Sequence, residues 1–182
     1  MQIVIKHNIK EMTKSLTKME QKVIPQATNR TLNRVGAAVS KAVMRDVAKQ
    51  AGLSQRDLKK DTKTKTVKSR FTSLAFRFTV LWGAIPLKRF KPTRSKTGVK
   101  AKAWGKSKVY DGAFIVDSMG SHVYKRTSDK RTPIKKLYGP TPARLAMSEQ
   151  TESKVQEVVD ARLGKEFMAN LRYYLSRMKP VG

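Results

Sequence analysis

Cysteine is absent from this 182-residue sequence, which excludes a disulfide framework and a thiolate metal site. Histidine is almost as scarce. His7 and His122 have no carboxylate neighbour at ligand spacing, so a structural zinc site or a histidine-based triad has little to build on. A Gly-x-Ser-x-Gly elbow, a phosphate loop and a dinucleotide fingerprint are likewise missing. Asp111, Asp117 and Asp129 share one stretch, but two of them adjoin turn residues, and we read them as turn chemistry. The expectation is a protein without catalytic, cofactor-binding or metal-binding residues. No apolar run approaches the ~20 residues that span a bilayer. No signal-like apolar core opens the chain. These absences predict a soluble protein without a membrane partner, compatible with a reducing cytoplasm.

Acids are the other shortage: 13 Asp+Glu against 40 Lys+Arg, a formal charge of +27. The imbalance is concentrated. Between Thr62 and Tyr110 there are 14 bases and no acid. Such a field repels copies of itself and attracts polyanions, nucleic acid above all. The sharpest candidates are Lys88, Arg89, Lys91, Arg94, Lys96, Lys100, Lys102, Lys106 and Lys108. On a strand–loop–strand unit Lys100 and Lys102 would share a face, and such bases would meet phosphates without reading sequence. A basic loop can equally dock on an acidic protein subunit. Phe90 and Trp104 lie among these bases and are assigned to core or interface, since base stacking is chiefly a single-strand device. No helix-turn-helix, zinc-finger or RRM signature is present.

The pattern of what is there predicts an α+β domain. Met1–Lys6 reads as a short first strand. Ile9, Met12, Leu16, Met19 and Val23 recur at helical spacing behind Asn8 and Glu11, a capping-box pair. Pro25 is expected to break that helix and start the next. The second helix follows Leu32, Val35, Val39, Val43 and Val47 to about Ala51, where Gly52 stops it. Gly36, Ala37, Ala38 and Ala42 beside that stripe permit close approach. Ser54 then caps a short helix through Lys60. Alternation from Leu74 to Trp82 predicts a strand, Pro86–Phe90 and Val99–Trp104 two more, and Lys91–Gly98 an exposed loop. Strands at Gly112–Asp117 and Val123–Arg126 flank a turn at Ser118–Ser121. Thr141-Pro142 opens a long last helix, with a break expected near Gly164. The whole, 1–182, reads as one domain: helical over 8–60, β-rich with a basic loop over 65–126, and a linker plus C-terminal helix over 127–179. Its sheet is small and mainly antiparallel.

Three motifs stand in order between Gly112 and Pro142: Gly-Ala-Phe-Ile-Val from Gly112, Val-Tyr-Lys-Arg from Val123, and Thr-Pro-Ile-Lys-Lys-Leu-Tyr-Gly-Pro from Thr132. This train resembles the C-terminal half of the minor tail protein Z family of long-tailed bacteriophages and prophages. Leu32-Asn33-Arg34-Val35-Gly36 and Ile85-Pro86-Leu87 also suit that family. The resemblance implies a virion protein, a tail-completion or minor tail protein at the head-proximal end of a long tail. It would be assembled in the host cytoplasm and would sit at the neck, helping head–tail joining and holding the DNA end in the tail channel. Implied partners are the tail terminator or tail tube, neck proteins, double-stranded DNA held through phosphates, and copies of itself in a ring, commonly a hexamer. The nine bases from Lys88 to Lys108 then form an arm for DNA or the adjoining ring. Gly112, Phe114, Ile115, Tyr124, Pro133, Leu137, Tyr138, Gly139 and Pro140 carry the structural motif. A sequence-neutral nucleic-acid binder of the ribosome- or nucleoid-associated type is the alternative; a nuclease would need a carboxylate cluster.

Overall fold

The computed structural model describes residues 9–81 and 83–178. Helix α1 (Ile9–Lys18) leads through a π-helical turn, Met19–Val23, into α2 (Ile24–Ala51). The expected break at Pro25 is therefore a widened turn. Proline cannot donate to the carbonyl four residues back, and the wider turn just ahead of it absorbs the missing bond without ending the helix. The Met1–Lys6 strand and the Asn8–Glu11 cap lie outside the residues whose side chains are described.

Helix α3 (Gln55–Asp61) is capped as the sequence predicts, the Ser54 hydroxyl accepting from the Asp57 N–H at 3.1 Å. Strands β1 (Thr64–Val67) and β2 (Arg77–Val80) form a two-stranded sheet. The strand expected from Leu74 is thus shorter than its alternation, and Trp82 lies outside the described residues. Pro86–Phe90 is a 3-10 turn over Leu87–Phe90 and not a strand. Placing both Leu87 and Phe90 in the core needs a three-residue repeat, which a strand does not supply.

Within the expected Lys91–Gly98 loop, Thr93–Arg94 is a short strand, β3, which joins β4 (Gly98–Ala101) and β5 (Lys108–Asp111) in a second sheet, all antiparallel, with Arg94 opposite Val99 and Val99 opposite Tyr110. β4 ends at Ala101, and Ala103–Gly105 turns as a 3-10 segment, so the strand expected through Trp104 stops three residues early. A third sheet holds β6 (Ala113–Val116), β7 (His122–Arg126) and β8 (Ile134–Lys136), with Phe114 opposite Tyr124 and Ile115 opposite Val123. Helix α4 (Pro142–Ala146) is separated from α5 (Glu149–Ser176) at Met147–Ser148. The break is there and not at Gly164, which lies inside α5 with open space where a side chain would stand.

The chain divides into two compact units. The first comprises the residues up to Ala38, Thr66–Arg77 and those from Glu157 onward. Its α2 and α5 segments are stitched by polar contacts: Arg34 to Glu166 at 3.0 Å, Asn170 to Thr31 at 3.0 Å, and the Arg30 guanidinium 4.6 Å from the Tyr173 ring centre. The order along α5 (166, 170, 173) runs against that along α2 (34, 31, 30), so these segments pair antiparallel. Gly36 lets Phe76 in: a Cβ at Gly36 would come 2.3 Å from that ring. The close approach read from the small residues of α2 is realised there.

The second unit, Val39–Lys65 with Phe78–Gln156, holds the apolar core. Val43, Met44, Val47, Leu58, Ile85, Leu87, Phe90, Val99 and Val123 are buried together in it. Residues 134–140 cross this unit as a strap bonded on both sides. Leu137 donates to the Val123 carbonyl at 2.8 Å and accepts from Leu87 at 3.1 Å. Gly139 donates to Ile85 at 2.7 Å, and Ile85 donates to Pro140 at 3.1 Å. Gly139 is needed because a Cβ there would sit 2.6 Å from the Phe90 ring. Leu137, Gly139 and Pro140 thus tie β7 to the Ile85–Leu87 segment.

One buried polar knot interrupts the apolar packing of that unit. Asp46, 8 % exposed, accepts from Thr151 at 2.8 Å, Gln50 at 2.7 Å and Gln150 at 2.9 Å. Burial pushes its carboxyl pKa up, but hydrogen bonds from Thr151, Gln50 and Gln150, with the charge of Lys49, outweigh that and hold it below the ordinary value.

Candidate polyanion-contact surface

The basic segment is built on β3–β4–β5 and the turns at its ends. Alternation in β4 sends Val99 and Ala101 into the core, which leaves Lys100 on the opposite face, exposed. Lys96 lies in the β3–β4 turn, Lys102 and Lys106 bracket the 3-10 segment, and Lys108 opens β5; all are exposed. Lys102 falls beyond the end of β4, so the alternation meant to align it with Lys100 stops one residue short.

Not all nine bases are equally available. Arg89 is paired with Asp61, its Nη2 donating at 3.0 Å. Arg94 donates to Asp117 at 2.8 Å, a pair so exposed that water screens most of its value. Lys88 donates to the Gly120 carbonyl. Among the described residues, no ion pair involves Lys91, Lys96, Lys100, Lys102, Lys106 or Lys108. Lys91 sits in the left-handed region at φ 47°, ending the 3-10 turn. Lys108 lies 5.8 Å from the Tyr110 ring centre. Phe90 is core, whereas Trp104 is 48 % exposed with φ 56°.

Sequence reasoning missed a neighbouring feature. Lys125 and Lys135 stand directly opposite each other on β7 and β8, both exposed. Like charges placed cross-strand are unfavourable without an anion between them. The signal was legible only once Ile134–Lys136 was known to be a strand. His122 on the same sheet lies 3.2 Å from Lys136, and burial, then Lys136, Lys88 and Arg89, hold its pKa below the ordinary value. Asp117, in a 3-10 turn, accepts from Ser121 and Arg94, and Asp111, at the end of β5, accepts from Thr97. Among the described residues no three His, Asp or Glu come together at metal-binding range, and no helix is long and apolar enough to cross a membrane.

This geometry offers cations on short strands and a doubly bonded strap. The model of one family, prophage minor tail protein Z, matches residues 7–179. The chain belongs to that family. It is thus a bacteriophage minor tail protein, a structural component of the virion tail whose partners are other tail components. No curated protein and no solved structure matches it. As a minor tail protein Z, it carries its motif residues where they shape the fold: Phe114, Ile115 and Tyr124 in paired strands, and Leu137, Tyr138, Gly139 and Pro140 in the strap. Pro133 follows Thr132 through a cis peptide bond.

Proposed function

We propose that this minor tail protein sits at the head-proximal end of the tail, in the neck, as a homo-oligomeric ring that helps join tail to head. There it holds the leading end of the DNA through phosphates. The observation that supports this is the set of exposed bases that form no ion pair among the described residues: Lys91, Lys96, Lys100, Lys102, Lys106 and Lys108. A ring would present that cluster several times around a channel, and a polyanion would relieve the summed charge. Six-fold symmetry is the ring order we propose, and assembly takes place in the host cytoplasm.

The test is the absolute mass of nuclease-treated protein in moderate salt, alone and with tails lacking it. A discrete ring, or stoichiometric capture at one tail end, is expected. A monomer that ignores tails and coats DNA would overturn the reading in favour of a free-standing nucleic-acid binder. The triple variant Lys96→Gln, Lys100→Gln, Lys102→Gln should flatten the salt dependence of duplex binding by about 0.9 log units of slope per lost contact. An unchanged slope would remove the sheet as the DNA contact.

A further inference from the structure

A second cationic feature lies on the third sheet, where contacts fix the position of each charged group. Val123 is buried in the core, so His122 and Tyr124, with Lys136 opposite Tyr124, share the other face. The Lys136 Nζ on β8 stands 3.2 Å from His122 Nε2 on β7 and 5.7 Å from the Tyr138 ring centre. The Lys88 Nζ, from the 3-10 turn Leu87–Phe90, donates to the Gly120 carbonyl. Gly120 lies against the same imidazole, since a Cβ there would stand 3.8 Å from His122 Cδ2. Two ammonium groups from different elements thus flank one ring.

This arrangement is costly by itself. An ammonium only donates, so Lys136 donates to an unprotonated Nε2 and the ring carries its proton on Nδ1. That Nδ1 is buried and has no partner. Ser121 beside it lies in the left-handed region at φ 54°, uncommon for a residue with a side chain. Neither Lys88 nor Lys136 forms an ion pair among the described residues. Asp117 is engaged with Ser121 and Arg94, and Asp61 with Arg89. Like charges gathered without a carboxylate are relieved by an anion. Each ammonium has donors left beyond its present contact, with Lys88 exposed and Lys136 half-buried. Lysines bind phosphate as point charges. The Arg89 guanidinium, the fork that suits a carboxylate, is already held by Asp61.

We propose that Lys88 and Lys136 form a contact for a nucleic-acid backbone phosphate, and that His122 is the positioning residue that holds the Lys136 ammonium. The inference rests on the reading of this protein as a binder of DNA phosphates and adds a contact outside the β3–β4–β5 sheet. Proton uptake follows from it. Burial and the charges of Lys136, Lys88 and Arg89 hold the free imidazole below its ordinary value. An arriving phosphate offsets those charges, so the imidazole pKa rises on binding and the complex takes up a proton. Affinity for duplex therefore increases as pH falls through the window between the free and bound values.

The test is titration of the full chain with duplex DNA, followed by fluorescence anisotropy across salt and pH and by proton NMR of the imidazoles. The chain has two histidines, and His122→Gln assigns their signals. Duplex should move the His122 titration midpoint upward, and His122→Gln should flatten the pH dependence of affinity. Lys88→Gln with Lys136→Gln should reduce the salt slope by about 0.9 log units per lost contact. Lys59→Gln with Lys60→Gln, the same charge loss at exposed positions of α3, should change it less. Thermal melts report whether each variant is folded. Should the Lys88, Lys136 variant fail to fold, the midpoint in the parent still decides. A midpoint that duplex leaves in place, a pH dependence that survives His122→Gln, or equal slope changes in the two double variants would each overturn the site. So would polyglutamate that moves the midpoint while duplex does not, which would make an acidic protein the ligand. A parent that binds no duplex defeats this site and the DNA reading together. If the Lys96, Lys100, Lys102 triple variant flattens the slope while the midpoint stays in place, this site alone falls.

Discussion

The two units are held by different forces. In the second, nine large apolar residues are buried together, among them Leu58, Ile85, Leu87 and Val99, which have no exposed surface. In the first, the buried apolar residues among those described, Val23, Ala27 and Val35, are few and small, and Thr31–Asn170, Arg34–Glu166 and Arg30–Tyr173 link the helices. Apolar burial is non-directional and adds up with area. A polar ladder gives little net energy per rung but fixes register. One unit is thus built for stability and the other for alignment. The same α2 serves both, apolar from Val43 to Ala51 and polar at Arg30, Thr31 and Arg34.

That contrast can be broken at its strong end first. Leu87→Ala should destabilise the second unit by about 2–5 kcal/mol, read by urea unfolding followed by circular dichroism. A cost below that of the polar substitutions would invert the contrast. Asp46→Asn comes next, at about 1–3 kcal/mol, because it upsets a carboxylate that accepts from Thr151, Gln50 and Gln150. The sign of its pH dependence follows from its lowered folded-state pKa. The contribution of Asp46 is complete above the unfolded value of 3.8 and fades as pH falls through the folded one. The stability difference between parent and Asp46→Asn should therefore be flat at neutral pH and shrink below about pH 4.

In the first unit, Asn170→Ala should cost about 1 kcal/mol, since Thr31 keeps its bond to the Ala27 carbonyl. Arg34→Gln should change stability by less than about 0.5 kcal/mol, because its pair with Glu166 is half exposed. Thermal melts resolve the two. If Arg34→Gln cost as much as Leu87→Ala, the ladder would be a source of stability and the contrast would fail.

The units also differ in how much of them the sequence revealed. The long helices were legible because 3.6-residue periodicity is sustained over many residues in α2 and α5. So was the Ser54 cap, whose chemistry is local. The strands β6 and β7 were legible through a dense apolar run and the Gly112 and Gly120 turns. β3, β5 and β8 were not. Thr93–Arg94 is two residues long, and Ile134–Lys136 has one apolar residue in three. Such strands exist because a partner edge is waiting across the adjoining turn, and their own composition does not announce it. Gly164 misled because an exposed glycine costs a long helix only about 1 kcal/mol.

The candidate surface was half legible. A shortage of acids located it, yet only placement showed that Arg89 and Arg94 are engaged with Asp61 and Asp117 and that Lys125 faces Lys135.

The strap over residues 134–140 has a consequence for the order of events in folding. Its bonds join Leu137 to Val123 and to Leu87, and Gly139 and Pro140 to Ile85, so it closes loops of very different length at once. The Ile85 and Leu87 edge is remote in sequence, and contacts of that kind form late because loop entropy must be surrendered before they are made. The strap is therefore expected to close its unit last and to open it first. The amides of Ile85, Leu87, Leu137 and Gly139 should therefore exchange with solvent at one shared rate, as a single cooperative block.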